Sequence, residues 1–399
     1  MAEHDIVLGV LYSYYVVKIN LNRVKTPMSI PLKGLKILDF STLLPGPFAT
    51  MYLADMGADV VHIESPTRPD LVRIMPPYAN GQATSHSYLN RNKKSVALDL
   101  KDKASIDLIK SKIFEYDILV EQFRPGVMGR LGLDYETLSK INPKLIYCSI
   151  TGYGQTGDYK NRAGHDINYL ALSGIMGYSG RKNEIPPALG IQVADVAGGS
   201  LHAVIGILTA VIERNQSGLG QHIDISMTDC AVKLNGMAAA ASLAANETQF
   251  PESSILNGGT YYDYYETQDG RYISIGSLEP QFLIGLADIL ELPILLEKGS
   301  SFFETDRLEV KHAIQEKIKT NSFEFWKNLF SGYDVCVEPV LSLDEALNSK
   351  LAFQRQWVID VPMVDDYTKK EQQLACPIKF SRSKIVYKYI GKLLGQDSF

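Results

Sequence analysis

The sequence predicts an α/β protein: a doubly wound parallel sheet carrying most of the chain, followed by a smaller α+β domain. Three observations predict it. Short β-rich runs alternate with helical stretches from Leu35 onward, the helical stretches are long enough to cross over a sheet between parallel strands, and the texture changes beyond Pro251. The 399 residues, with 45% hydrophobic and 21% charged content, can bury one large core or two moderate ones, as a globular two-domain chain does.

Taken in order, Leu35–Phe40, a helix through Phe48–Met56 and Asp59–Glu64 make a βαβ signature. The rhythm continues with Ser95–Leu100, a helix near Lys103–Phe114, the run Asp117–Phe123, a helix around Tyr135–Ile141, and Lys144–Ile150. Strands separated in this way imply a parallel sheet covered on both faces. Val196–Arg214 reads as a long apolar helix stopped by Gly218 and Gly220, before a strand at Gln221–Ser226 and an alanine-rich helix at Cys230–Ala245. Beyond Pro251, Tyr261–Thr267 and Arg271–Gly276 flank Gln268-Asp269-Gly270, a hairpin signal, and helices follow at Gln281–Glu291, Asp306–Ser331 and Leu343–Ser349. Val358–Val361 and Ile378–Phe380 are strand-like runs placed to return to the first domain. The expected division is an extension over residues 1–29, a large domain over 30–225, a linker over 226–262, a small domain over 263–350 and a return over 351–399.

Composition excludes several classes of function. Lys plus Arg at 40 against Asp plus Glu at 45 gives a net charge of −5, which argues against a surface for nucleic acid or anionic membranes. An anionic ligand must then be held by local basic groups. Cys148, Cys230, Cys336 and Cys376 are far apart, with no C-x-x-C pair and no metal-ligand spacing, so the chain reads as metal-free with buried thiols in a reducing cytoplasm. The apolar run Ile6–Val17 is shorter than the roughly 20 residues that span a bilayer, and Glu3 and Asp5 precede it where a signal peptide is basic. Regular patterning begins just after Met28, which suggests a natural start there.

Gly152-Tyr153-Gly154-Gln155-Thr156-Gly157 matches G-x-G-x-x-G after a strand. A dinucleotide fingerprint opens a helix whose N-terminus holds the pyrophosphate, whereas Asp158, Lys160, Asn161 and Arg162 follow here without apolar helical period. A tight glycine-rich loop is the better reading, and it delivers the chain to Gly164-His165-Asp166.

Three polar positions stand out against glycine-rich or apolar flanks: His165, Asp195 and Glu279. Each has a structural explanation as well as a chemical one. Asp195 stands where the long helix begins, as an N-cap does, and the helix dipole would favour its carboxylate as a base. His165 fits a hydrogen-bonded loop histidine, Asp166 an N-cap, and Glu279 the acidic first turn of a helix opened by Pro280. The basic cluster of Arg91, Lys93 and Lys94, and Arg124 before Pro125-Gly126, read on their own as a solvated face.

Six ordered blocks then carry a resemblance. They are Leu43-Leu44-Pro45-Gly46-Pro47 with Met56-Gly57-Ala58-Asp59-Val60-Val61; Asn90-Arg91-Asn92-Lys93-Lys94-Ser95; Phe123-Arg124-Pro125-Gly126-Val127; the glycine-rich loop from Thr151; Gly164-His165-Asp166-Ile167-Asn168-Tyr169; and Glu279-Pro280-Gln281-Phe282. From Pro31 on, the chain resembles the family III CoA-transferases (CaiB/BaiF), and within them the α-methylacyl-CoA racemase branch. The resemblance implies a Rossmann-like large domain, a smaller domain and a homodimer whose two chains interlock like linked rings. It implies that Asp195 is the carboxylate which transferases use as a nucleophile, and which racemases pair with a histidine, matched by His165, and a glutamate, matched by Glu279. Coenzyme A would enter as part of an acyl-CoA substrate, with no separate cofactor, and Arg91, Lys93 and Arg124 become phosphate partners, Arg68 and Arg73 weaker ones. The backbone around His165 and Asp166 would stabilise an enolate oxygen. The chain departs from the pattern at Ser65, where the family often has a basic residue.

Chemistry agrees with the racemase branch. Inverting a stereocentre by a 1,1-proton shift needs one group to remove the α-proton and another to deliver a proton to the opposite face. A carboxylate and an imidazole, whose unperturbed pKa is about 6.5, meet that need near neutrality. The alternative is CoA transfer to a carboxylic acid through an aspartyl anhydride on Asp195. A non-catalytic module that binds acyl-CoA or NAD stands behind both.

Overall fold

The computed structural model describes residues 29–399. The apolar run Ile6–Val17 and the start suggested at Met28 lie outside the described residues.

Six strands form one sheet: β1 (Lys36–Asp39), β2 (Asp59–Glu64), β3 (Lys94–Ala97), β4 (Ile118–Glu121), β5 (Ile146–Thr151) and β6 (His222–Ser226). All pairings are parallel and the order is β3-β2-β1-β4-β5-β6. This is the doubly wound Rossmann order, with the direction of winding reversing between β1 and β4. β1, β4 and β5 are buried almost throughout, which is why they read as near-continuous apolar runs.

One face is covered by α1 (Pro45–Asp55) and by the segment Ala194–Ser217, whose buried side includes Ala203, Val204, Ile207 and Ala210. By length and composition Ala194–Ser217 could cross a bilayer, but in the fold it lies against the sheet. The opposite face packs Ile106, Ile109 and Ile113 from the segment after β3 with Leu133 and Leu138.

The structure departs from the sequence expectation at three places in this region. The long helix does not begin at Val196: its first turns, Ala194–Ser200, are π-helical, and regular α-helix runs from Leu201 to Ser217. Asp195 is therefore inside the element, with Val193 at the N-cap. The stretch read as a linker from residue 226 opens with a helix, Met227–Leu234, whose Met227 and Ala231 belong to the sheet-side core. The single helix read over Cys230–Ala245 breaks at Asn235, whose side-chain amide donates to the Ser173 carbonyl at 3.0 Å and to the Val232 carbonyl of the turn before it at 3.2 Å.

The second cluster of buried apolar residues comes wholly from 261–341, around an antiparallel sheet of β7 (Asp263–Glu266), β8 (Tyr272–Ile275) and β9 (Val337–Pro339). Trp326 and Phe323 are its largest fully buried side chains. The helix read over Asp306–Ser331 is two, Glu304–Ile318 and Phe323–Phe330, because Ser322 takes an extended conformation and its side chain caps the second.

From Val358 the chain turns back. The hairpin of β10 (Val358–Pro362) and β11 (Lys370–Leu374) and the segment behind it dock on the large domain. The Arg91 guanidinium donates to Gln373 and to the Leu374 carbonyl, the Asn92 amide to the Val386 carbonyl, and the Asp397 carboxylate accepts from the Ser95 amide. Ile378–Phe380 is not a strand. All four cysteines are free thiols; Cys148 and Cys376 are buried, but Cys336 is exposed, contrary to the reading of four buried thiols.

Candidate active site

Two cavities open at the carboxyl ends of the strands, on either side of the β1/β4 reversal, where open α/β sheets bind their ligands. The first, about 450 Å³, lies toward β5 and β6 and is lined by His165, Tyr169, Asp195, Arg124, Lys160 and Arg162 among others. The second, about 780 Å³, lies toward β2 and β3 and includes Ser65, Arg68, Lys101 and Leu131.

His165 owes its place to the glycine-rich loop. Gly154 and Gly157 take positive φ (83° and 76°), and the loop opens no helix, so the chain passes along the cavity rim instead of crossing the sheet. His165 caps α2 (Asp166–Leu172): its backbone is extended, and its N–H donates to Asn168 Oδ1 at 3.0 Å. The cap is thus His165, and Asp166 is the first helical residue. Gly152 and Gly164 admit the Tyr169 ring, which a Cβ at either would meet at 2.4 Å and 2.7 Å, and the Tyr169 hydroxyl donates to the Gly164 carbonyl at 2.6 Å.

Asp195 sits in the π-turn, and its N–H donates to Asp166 Oδ1 at 3.0 Å. A π-turn widens the backbone by one residue per turn and re-aims a side chain, which is why such turns collect at functional sites. Gly198 and Gly199 let the turn press against Met227 and Pro45; a Cβ on Gly199 would lie 3.1 Å from that of Pro45. The Ser200 hydroxyl completes the docking with a 2.7 Å bond to the Pro45 carbonyl. Burial, with the Asp166 carboxylate adding to it, pushes the Asp195 carboxyl up to about 7. A carboxyl there exchanges protons readily at neutral pH.

Glu279 is exposed, at the N-cap of the helix Pro280–Leu290, and lines neither cavity. Within one chain the structure therefore brings together His165 and Asp195 and leaves Glu279 apart.

Arg91 and Lys93 must be withdrawn as phosphate partners. Each is 1% exposed. Arg91 holds Asp55 through two bonds of 2.9 Å and 2.6 Å and lies against the rings of Tyr88 and Tyr387. The Lys93 ammonium donates to Asp39, the Pro47 carbonyl and Asn90 at 3.0–3.2 Å. Asp39 is fully buried, which works against its charge, yet Lys93 and His62 hold its carboxyl well below the usual range. Arg73 is likewise engaged, by Glu64. Only Arg124 of the three main candidates stands at a cavity, and its side chain has no ion-pair partner among the described residues.

Lys160 and Arg162 were missed as site residues. Both follow the glycine-rich loop and line the first cavity with Arg124. Their signal was present, as two cations beside a loop already read as leading to His165, but the direction of that loop is set by tertiary contacts. Lys101 in the second cavity had no local signal at all.

The first helix turn after β1 is closed to a pyrophosphate. Pro45 and Pro47 have no N–H, and the Gly46 N–H donates to Gln122 Oε1 at 3.0 Å. The sheet has the order of a dinucleotide-binding fold without its phosphate cradle, so the NAD-binding alternative has no structural support.

The model for CoA-transferase family III matches residues 32–398. The chain is 38% identical over 319 residues to an α-methylacyl-CoA racemase of Mus musculus, covering 79% of each chain. It is 36% identical over 318 residues to a succinyl-CoA:glutarate CoA-transferase of Homo sapiens, covering 78% of this chain and 72% of that one. Among solved structures, a CaiB/BaiF family protein of Brucella suis aligns over 92% of this chain and 97% of its own, with a TM-score of 0.80 at 28% identity. Racemase and transferase relatives thus stand at similar identity, and what they share is the fold and the family: the chain belongs to CoA-transferase family III.

Proposed function

We propose that the protein acts on acyl-CoA thioesters and racemises or epimerises 2-methylacyl-CoA by moving the proton on the carbon next to the thioester carbonyl. The observation that carries this reading is that His165 and the Asp195 carboxyl, raised to about 7, line one cavity. One removes the α-proton and the other delivers a proton to the opposite face, with the roles exchanged for the other enantiomer. The carbanion is held as an enolate, whose oxygen needs donors that are fixed beforehand. The amides of Asp166 and Ile167, which no intrahelical carbonyl can reach at the start of α2, are suited to that task; the His165 amide is already taken by Asn168.

Arg68 and Lys101 around the second cavity, with Arg124 next to Phe123, which lines both cavities, are the cations suited to the phosphates of coenzyme A, while Lys160 and Arg162 keep the first cavity, where the thioester reacts, electropositive. No separate cofactor enters the reaction. An apolar recess of about 290 Å³ beside His165, lined by Leu170, Met176 and Leu189, suits an acyl chain.

The reading includes a homodimer, with Glu279 of one chain reaching His165 of the other. Its supports are the position of Glu279 outside the two cavities described above and a set of exposed apolar residues, Ile185, Ile191, Met237, Leu243 and Phe250, between 185 and 250. Sedimentation showing a fully active monomer would remove it.

A second reading, CoA transfer with Asp195 as nucleophile, is favoured by the transferase relatives at similar identity. One experiment separates the two: a chiral 2-methylacyl-CoA is incubated in deuterated water without any acceptor acid. Deuterium at the α-carbon with loss of optical purity is expected. Turnover only when a carboxylic acid is added, with an Asp195 adduct trapped by hydroxylamine, would replace racemisation by transfer.

A further inference from the structure

The two cavities meet at Leu43 and Phe123, which line both. Leu43 follows β1 and Phe123 follows β4, so these residues are the lips of the switch point itself. Each is fixed in the same way. The Leu43 N–H donates to both carboxylate oxygens of Asp70 at 3.0 Å, and the Phe123 N–H donates to Glu121 Oε2 at 2.8 Å. Asp70 is 2% exposed and Glu121 4%.

A buried carboxylate is an expensive way to hold a loop, so what it holds has to matter. Leu43 has φ of 62°, a left-handed conformation that disfavours a branched side chain, and the doubled bond to Asp70 keeps it there. Asp70 is itself fixed, its N–H donating to Glu64 Oε2 at 2.9 Å, and Glu64 is gripped by Arg73. The two lips are also braced against each other, since Gln122, next to Phe123, accepts the Gly46 N–H from the first turn of α1, which begins two residues after Leu43.

We propose that Leu43 and Phe123 form a gate of fixed width between the cavities, through which an extended thioester threads, and that Asp70 and Glu121 are positioning residues for the gate. The inference rests on the acyl-CoA reading: the bulky polar end of the ligand occupies the larger cavity and its reacting carbon the smaller one, beside His165 and Asp195. The gate therefore acts on ligands long enough to occupy both cavities and is indifferent to ligands that fill only the smaller one. Burial raises both carboxyls, Glu121 to about 7, but the geometry separates them: Glu121 uses one oxygen, so an amide there can still accept the Phe123 N–H, whereas both Asp70 oxygens accept the Leu43 N–H and an amide sets a donor against it.

The test compares wild type with Asp70→Asn. Binding of coenzyme A is measured by calorimetry, and α-proton exchange is measured on a 2-methylacyl-CoA and on the same acyl group carried by N-acetylcysteamine. The variant is expected to raise the Kd of coenzyme A and the KM of the full thioester about tenfold, with kcat and the short-substrate rate within about twofold. Equal losses on long and short substrates, or no loss on either, would overturn the gate. Wild type that binds no coenzyme A would sink the acyl-CoA reading and the gate with it, whereas unchanged coenzyme A binding in a folded Asp70→Asn sinks the gate alone. If Asp70→Asn does not fold, Phe123→Ala removes one lip without touching a buried carboxylate; because Phe123 also lines the smaller cavity, the result required of it is a loss about tenfold larger in KM on the full thioester than on the short one, and equal losses overturn the gate.

Discussion

Replacing Asp195 by Asn removes a carboxyl whose folded state resists ionisation. Its pKa rises from 3.8 to about 7 through burial and the neighbouring Asp166 carboxylate. Between those values the unfolded chain ionises at this position and the folded chain does not, so rising pH favours the unfolded state. The stability conferred by the neutral carboxyl is fully present below about 3.8, falls as pH climbs, and is lost by about 7. At about 1.36 kcal/mol per unit the ceiling is roughly 4 kcal/mol. Asp195 is only part-buried, and solvent screening reduces the expectation to roughly 2 kcal/mol. Asn, which never ionises, escapes the loss. Asp195→Asn should therefore match wild type near pH 4 and melt higher by roughly 4 °C at pH 8, in thermal scans at constant ionic strength. The same variant should abolish α-proton exchange, so the site trades stability for chemistry at this residue. Wild-type and variant melting curves that stay parallel from pH 4 to 8 would refute the reasoning, because a carboxyl of ordinary pKa gives no such divergence.

Arg91→Met should lose about 3–5 kcal/mol of stability in urea titration, because it strands the buried Asp55 carboxylate, while any protein that remains folded binds coenzyme A as wild type does. Lost coenzyme A binding at unchanged stability would return Arg91 to the ligand. Gly164→Ala places a Cβ 2.7 Å from both the Tyr169 ring and the Tyr153 hydroxyl, next to His165; proton exchange should fall about tenfold or more with the fold retained, and full activity would show that the rings do not set the histidine. Arg124→Ala should weaken coenzyme A binding about fivefold at low salt and progressively less as ionic strength rises, and a salt-independent loss would point to a packing role.

The sheet was legible in the sequence because β1, β4 and β5 are buried on both faces and their apolar runs cannot be mistaken for amphipathic helix. His165 and Asp195 were legible as polar residues in glycine-rich surroundings, and those glycines turn out to be what lets Tyr169, Met227 and Pro45 close around them. The fate of Arg91 and Lys93 was not. Whether a cation faces solvent or a buried carboxylate depends on Asp55, Asp39 and Gln373, which are distant in sequence and carry no local mark. The π-turn escaped for a related reason: Asp195-Val196-Ala197-Gly198-Gly199 has the composition of an ordinary helix start, and the close packing of its glycines on Pro45 and Met227 has no mark in the local sequence.

The return of the chain after Val358 has a consequence in time. β3 and the loop before it are made early, yet Arg91, Asn92 and Ser95 take partners from Gln373, Val386 and Asp397, and the Tyr116 ring stacks on Phe399 with centroids 6.1 Å apart. During synthesis these early residues emerge with their partners still untranslated, so Arg91 and Asp55 must wait for part of their cover until residues of the return have left the ribosome. A nascent chain stalled before residue 370 should hold its sheet exposed along β3 and be a target for chaperones and proteases, and each β11 or tail residue that is delayed prolongs that interval.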